Sequence, residues 1–337
     1  MKKKFWRLAV LSVIMLVLSA CGGEEGSGGG ESGANIAIGP PASATNGLSK
    51  IIFEAYGLED GDYKEFQEGF GDAADGVQDG NIDISIGILG LPAASIENLQ
   101  SATGDVKLIS LSDEAVAHIE KNTQYKAMTI PAGTYDFQKE EIQTVTAYAI
   151  LMANTDTIDE ETGYQLTKTM IEKASENTHA QAKEMTLENA LKGSEGLPIH
   201  PGAKRYYEEQ GLTVENPVAE VKADGSKKEL VLGTGSQGGT YYPLGGEMAT
   251  IWNRSVDGIN ITNTETGASI ENMATIRDGN MDLGMTVHET ALFAVNGEQD
   301  FEDNSVPNAA FIGHIYPEVV QIVTREASGI SGFEDLN

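Results

Sequence analysis

Leu230-Val231-Leu232-Gly233-Thr234-Gly235-Ser236-Gln237-Gly238-Gly239-Thr240-Tyr241-Tyr242-Pro243 decides the architecture. A short apolar run ends in glycine, a Gly/Ser/Thr loop follows, and an apolar pattern continues through Met248 and Ile251. This is a strand, a tight loop and a helix, the βα unit of an α/β protein. The same unit stands near the start of the chain. Asn35-Ile36-Ala37-Ile38-Gly39 is followed by a polar loop, Pro40 to Asn46, and by Leu48, Ile51, Ile52 and Ala55 at helical spacing. Without gaps, Ile36-Ala37-Ile38-Gly39 falls on Leu230-Val231-Leu232-Gly233.

A second shared element lies downstream of each unit: Asp79-Gly80-Asn81-Ile82-Asp83 and Asp278-Gly279-Asn280-Met281-Asp282. Asp-Gly stops a helix and turns the chain, so Asp83 and Asp282 read as turn chemistry. The repetition predicts two similarly built α/β lobes, with a small-ligand cleft between them. Further strands are expected over 82–88, 106–111 and 144–152, mostly helical sequence over 160–210, and a linker or surface loop over about 215–228.

Composition narrows the function. The 337 residues carry 22 Lys+Arg against 51 Asp+Glu, a net charge of −29, which repels phosphate backbones and argues against nucleic acid as a partner. One cysteine allows neither an internal disulfide nor a thiolate metal cluster. That cysteine, Cys21, follows a basic start (Lys2, Lys3, Lys4, Arg7), an apolar run over 8–18 and Leu18-Ser19-Ala20. The run is too short to span a bilayer and reads as a lipoprotein signal peptide, residues 1–20. Its end resembles a bacterial lipobox, with Cys21 lipidated and residues 21–32 a flexible Gly/Ser/Glu tether. The expected localisation is extracytoplasmic, anchored to the membrane through lipid.

Little asks for catalysis. Gly233, Gly235 and Gly238 match a dinucleotide fingerprint, but Tyr241, Tyr242 and Pro243 fill the first helical turn where close helix–sheet packing is required. An exported protein also has little access to NAD. His118, His179, His200, His288 and His314 show no metal-ligand spacing, and no nucleophile elbow is present. No metal, cofactor or enzymatic activity is expected. His288-Glu289 reads either as a cleft-facing pair or as an exposed loop pair.

Several motifs together resemble one family: the stretch 230–243, Gly267-Ala-Ser-Ile-Glu-Asn-Met273, Asp278 to Asp282, Gly39-Pro-Pro-Ala-Ser-Ala-Thr45, Ile130-Pro-Ala-Gly-Thr-Tyr135 and His200-Pro-Gly-Ala-Lys-Arg-Tyr-Tyr207. The sequence is similar to the TAXI family, the solute-binding receptors of tripartite ATP-independent periplasmic (TRAP) transporters. The order differs, because the family's closing motif lies here at 200–207 and its opening motif at 230–243. The chain therefore resembles a circular permutant joined near Pro217 to Lys228.

The resemblance implies a two-lobed type II periplasmic-binding-protein fold, circularly permuted. It also implies a small carboxylate ligand (glutamate, glutamine or a related C5 dicarboxylate) and TRAP membrane subunits as partners. A free-standing sensor or scavenger lipoprotein of the same fold remains open. The second ligand-binding lobe is expected over 33–142 and the first over 143–337, with the return segment near Gln143 to Met152 as the only covalent crossing.

The ligand is expected between two loops that open helices, with ordinary tight βα turns as the alternative. One holds Thr234, Gly235, Ser236, Gly238, Gly239, Thr240 and Tyr241; the other holds Ala42, Ser43, Ala44, Thr45 and Asn46. Gly238, Gly239 and Thr240 are expected to offer backbone N–H groups, Ser236, Ser43 and Thr45 hydroxyls, and Tyr241 a wall. Beyond the expected signal peptide arginine is scarce (Arg205, Arg254, Arg277, Arg325), so at most one guanidinium is expected at the site. Ala42 stands where the family commonly has glycine and crowds the approach. Gly90-Leu91-Pro92-Ala93 is expected to form a third wall beyond a strand end, or an ordinary Gly-Pro turn.

Overall fold

The computed structural model describes residues 33–59 and 61–336. Residues 1–32, read from sequence as a signal peptide, Cys21 and a tether, lie outside the described residues. No helix among the described residues is long and apolar enough to cross a membrane.

β1 (Ala34–Ala37) buries Ile36 and Ala37 completely, and Gly39, at φ 84°, turns the chain toward α1 (Ala44–Tyr56). Then come β2 (Tyr63–Phe66), α2 (Phe70–Asp79), β3 (Ile84–Leu89), α3 (Ala94–Thr103), β4 (Val106–Leu108), α4 (Asp113–Asn122) and β5 (Lys126–Ile130). The long strand β6 (Ile142–Asn154) leads to α5 (Glu160–Glu172) and α6 (Pro201–Glu209). The second βα series is β7 (Glu229–Gly233), α7 (Tyr241–Ser255), β8 (Asn260–Thr264), α8 (Ser269–Arg277), β9 (Leu283–Val287), α9 (His288–Asn296) and the 17-residue β10 (Ala309–Arg325).

The two halves share one strand order. β1 lies parallel between β2 and β3, and β7 lies parallel between β8 and β9. Beyond each third strand comes an antiparallel one, β10 against β3 and β6 against β9. This is the arrangement of a type II periplasmic-binding-protein fold. Each half has its own apolar core. Leu232, Trp252, Met285 and Phe311 belong to one, and Ile36, Phe53, Ile322 and Phe333 to another.

Two strands pass between the lobes. β6 pairs with β5 over Ile142–Thr146 and with β9 over Ala149–Ala153. β10 pairs with β6 from Ala309 to Val319, with β3 over Val319–Val323 and with β4 over Val323–Arg325. The single covalent crossing expected from sequence is therefore corrected: both crossings are continuous. After β10, Phe333 packs on Phe53 and Tyr56 of α1, with ring centroids 6.0 and 5.0 Å away. The apolar run of β10 conceals the change of lobe, because every residue from Ala309 to Thr324 except Pro317 is buried, whichever core it serves.

The internal repeat is present with its register moved. Ile36 pairs with Ile84 and Leu232 with Leu283, so Ile36 corresponds to Leu232 and Gly39 to Gly235, two residues later than the ungapped match. Gly233 misleads because its glycine answers to packing: a Cβ there would sit 2.2 Å from Met281 Sδ and Cε. Asp83 and Asp282 do more than turn the chain. Asp83 Oδ2 accepts from the Asn35 N–H and Asp282 Oδ2 from the Val231 N–H, both at 2.8 Å, tying the first strand of each lobe to its third. Asp282, fully buried, also receives Lys227 Nζ at 2.7 Å. The segment expected as a linker is held to the core of Leu232 and Trp252 by Ile199 N–H to Pro217 O at 2.8 Å and Ala219 N–H to Ile199 O at 2.9 Å.

Candidate functional site

Three helices begin on one cavity between the lobes. Their first residues, Ala44 of α1, Tyr241 of α7 and Ser269 of α8, all line it, so the positive dipole ends of three helices meet the cavity, although the Asn46 and Glu271 N–H groups are already bonded to Ser43 Oγ and Ala42 O. The cavity encloses about 580 Å³ of empty space, counting its opening to solvent. β3 supplies one wall through Ile86, Gly87, Ile88 and Leu89, and Tyr316 and Glu318 of β10 face it from the crossing strands.

Of the residues expected at the site, Ser43, Ala44, Thr45, Gly235, Ser236, Gly239, Thr240 and Tyr241 line the cavity. The others do not. Thr234 is buried behind the loop, its hydroxyl donating to Thr264 O at 2.7 Å. Asn46 donates through Nδ2 to Gly39 O at 3.2 Å, and Ala42 O accepts from the Glu271 N–H at 3.2 Å. Gly90 reaches the site only by donating its N–H to Thr240 Oγ1 at 2.9 Å, and Leu91 lies outside the lining. The third wall is thus the end of β3 itself. Two expected donors are also engaged elsewhere. The Gly239 N–H bonds Ser236 O at 2.9 Å, and Ser43 Oγ caps α1 by accepting from the Asn46 N–H at 3.2 Å while donating to Pro40 O at 2.7 Å.

Glycines let the lobes meet at the cavity's rim. A Cβ on Gly238 would lie 2.3 Å from Gly71 Cα, and one on Gly69 would lie 2.6 Å from Ser236 Cβ. Backbone therefore touches backbone where any side chain would hold the lobes apart. Gln181 Nε2 to Pro92 O at 3.3 Å and the Gln124 N–H to Glu289 Oε1 at 2.5 Å add polar contacts between lobes. The Glu289 bond, together with the Tyr148 N–H donating to His288 Nδ1 at 3.2 Å, places the His288-Glu289 pair in lobe contacts and outside the cavity lining.

Two residues were missed by sequence reasoning. Glu318 is 2% exposed and is the only Asp, Glu, Lys, Arg or His in the lining. Tyr316 Oη donates to its Oε1 at 3.0 Å, while Oε2 has no hydrogen-bond partner. Burial pushes the carboxyl up to about 8, offset only in part by the Tyr316 and Tyr241 hydroxyls. The available signal was a single acid inside the long apolar run Ile315-Tyr-Pro-Glu-Val-Val-Gln-Ile322. Ala268, also in the lining, has φ 74° and ψ −137°, a conformation that costs a non-glycine residue roughly 1–3 kcal/mol. Its N–H is held by Thr266 Oγ1 at 3.0 Å.

The guanidinium allowed for from sequence is not at the site. Arg205 pairs with Glu160 and Glu161 at 3.1 and 2.7 Å, Arg277 with Asp278 at 2.9 Å, Arg325 with Asp105 at 2.8 Å, and Arg254 with Glu176. None of these arginines lines the cavity. Among the described residues no group of His, Cys, Asp and Glu could hold a metal ion.

A family model described as the NMT1-like family matches residues 24–211 and 232–337. The chain belongs to the NMT1-like family. The unmatched stretch between the two parts contains the surface segment 215–228. Solved structures similar to this NMT1-like chain are remote. One is a binding protein component of an ABC phosphonate transporter from Pseudomonas aeruginosa, at 12% identity and TM-score 0.39 over 87% of this chain and 68% of that one. An ancestral arginine-binding protein bound to arginine matches at 11% and 0.39 over 88% and 86%. The arginine-bound truncated arginine-binding protein of T. maritima matches at 11% and 0.35 over 91% and 92%.

Proposed function

We propose that this protein is an extracytoplasmic solute-binding receptor, lipid-anchored through Cys21, that captures a small carboxylate and delivers it to the membrane subunits of a TRAP-type transporter. The ligand class is glutamate, glutamine or a related C5 dicarboxylate, and the chain is a circular permutant of the TAXI order. The observation that carries the reading is the convergence of the α1, α7 and α8 N-termini on one interlobe cavity, a geometry suited to a carboxylate without a guanidinium. The glycine-faced rim supports capture by closure of two lobes. The lobes act by binding, and no catalytic step is assigned.

Native mass spectrometry of protein purified without refolding, followed by calorimetry with the species found, tests the reading. A one-to-one complex with a small carboxylate is expected. Protein that retains none and takes up none overturns it. Reconstitution with TRAP membrane subunits separates a transport receptor from a free-standing sensor, and the mass of membrane-extracted protein reads the lipid on Cys21.

A further inference from the structure

The cleft presents an electrical asymmetry that a plain dicarboxylate does not match. The helix N-termini favour negative charge, yet the only Asp, Glu, Lys, Arg or His in the lining is itself an acid, Glu318. That carboxyl has one oxygen occupied by Tyr316 and one, Oε2, that makes no hydrogen bond, with the Tyr241 hydroxyl near the carboxyl but outside bonding geometry. The groups facing it are Tyr316 from its own strand, Tyr241 from α7 and Tyr125 from the segment before β5, with Glu289 beyond Tyr125. All are acids or neutral hydroxyls. The Tyr241 and Tyr125 hydroxyls meet no partner at hydrogen-bonding geometry. From β6, Thr146 reaches only the backbone oxygen of Glu318, at 2.6 Å. A buried carboxylate needs a compensating positive charge, and no lysine or arginine of the lining supplies one.

We propose, resting on the reading of this cleft as a solute site, that Glu318 is its specificity-determining residue and receives an ammonium group of the ligand, whose carboxylate faces the helix N-termini. The solute is then a zwitterionic amino acid, and its deaminated counterpart is discriminated against. A ligand ammonium satisfies Oε2 and balances the charge that burial otherwise keeps protonated. Binding then ionises Glu318 and releases its proton to solvent, so affinity rises with pH up to about 8.

The test is calorimetry on the full chain with the L-amino acids and their deaminated carboxylic analogues, for wild type and Glu318→Gln. Wild type is expected to prefer an amino acid over its analogue by at least about 30-fold. Glu318→Gln, which keeps size and removes the ionic form, is expected to lose about that factor for the amino acid and less than about threefold for the analogue. At pH 7, titration in buffers of different ionisation heat is expected to read close to one proton released by wild type and none by the variant. An analogue bound as tightly as its amino acid, or an amino-acid affinity unchanged in Glu318→Gln, overturns the inference and leaves the solute reading standing. Affinity that rises as pH falls, with no proton released, also overturns it, because Glu318 then acts as a protonated donor to a ligand carboxylate. A wild-type protein that binds neither class overturns both.

Discussion

The loops at the heads of α1 and α7 are near-equivalents in the sequence and opposites in how they are completed. In the first, Ser43 caps its own helix and Asn46 bonds back to Gly39, so its side chains bond within one lobe and only the Ala42 carbonyl reaches the other, at the Glu271 N–H. In the second, α7 has no side-chain cap: Thr240 reaches across to the Gly90 N–H, and Gly238 lies against Gly71. The side chains of the first loop stabilise its lobe whether or not the lobes meet, whereas Thr240 of the second finds its partner only in the other lobe. Substitutions in the first should therefore register in folding stability, and those in the second in affinity.

The largest effect is expected from neither loop but from the strand beneath both. Glu318 holds its proton up to about pH 8 in the folded protein and to about 4.5 when unfolded, so stability falls as pH rises between those values and levels off above. At about 1.4 kcal/mol for each tenfold in proton affinity, Glu318→Gln should be several kcal/mol more stable than wild type at pH 9 and nearly equal at pH 5. Urea unfolding at the two pH values measures this, and a difference independent of pH contradicts it. Loop variants should leave that pH profile unchanged.

Gly238→Ala places a methyl against Gly71 and should weaken solute affinity by about 100-fold by depleting the closed population, with a larger ligand-free scattering radius and little change in Tm. Affinity within threefold of wild type would remove glycine-to-glycine closure from the comparison. Thr240→Val deletes one buried interlobe hydrogen bond and should cost about fivefold to tenfold in affinity without lowering Tm. Ser43→Ala should show the reverse, losing about 1 kcal/mol of stability with the N-cap while affinity changes less than about twofold. If Ser43→Ala and Thr240→Val shift the same observable, the division of labour between the loops is wrong.

Much of this was legible because strand–loop–helix units carry local signals. The repeat, the helix after each loop and the placing of most of both loops at one cavity follow from Gly, Ser and apolar spacing, although α1 starts at Ala44, inside the stretch that reads as loop. What was not legible depends on partners distant in sequence. Gly233 looked like a loop residue because its reason for being glycine, Met281, lies 48 positions away. The second crossing strand was hidden because β10 is buried on both sides of its change of lobe. Glu318 reads as one polar interruption in an apolar strand, and only the fold shows it beneath the cavity with one unpaired oxygen.

The paired crossing strands have a consequence for timing. β6 and β10 form a continuous antiparallel ribbon below the cleft, interrupted by irregularities between Phe311 and Gly313 and between His314 and Tyr316, with Pro317 just beyond. Separation of the lobes is expected to bend this ribbon between Thr146, the last β6 residue paired with β5, and Ala149, the first paired with β9. Motions of that kind fall in the microsecond to millisecond range. A solute held behind the glycine rim leaves no more often than the ribbon flexes, so its residence time has a floor set by the elasticity of two strands, whatever the strength of its contacts.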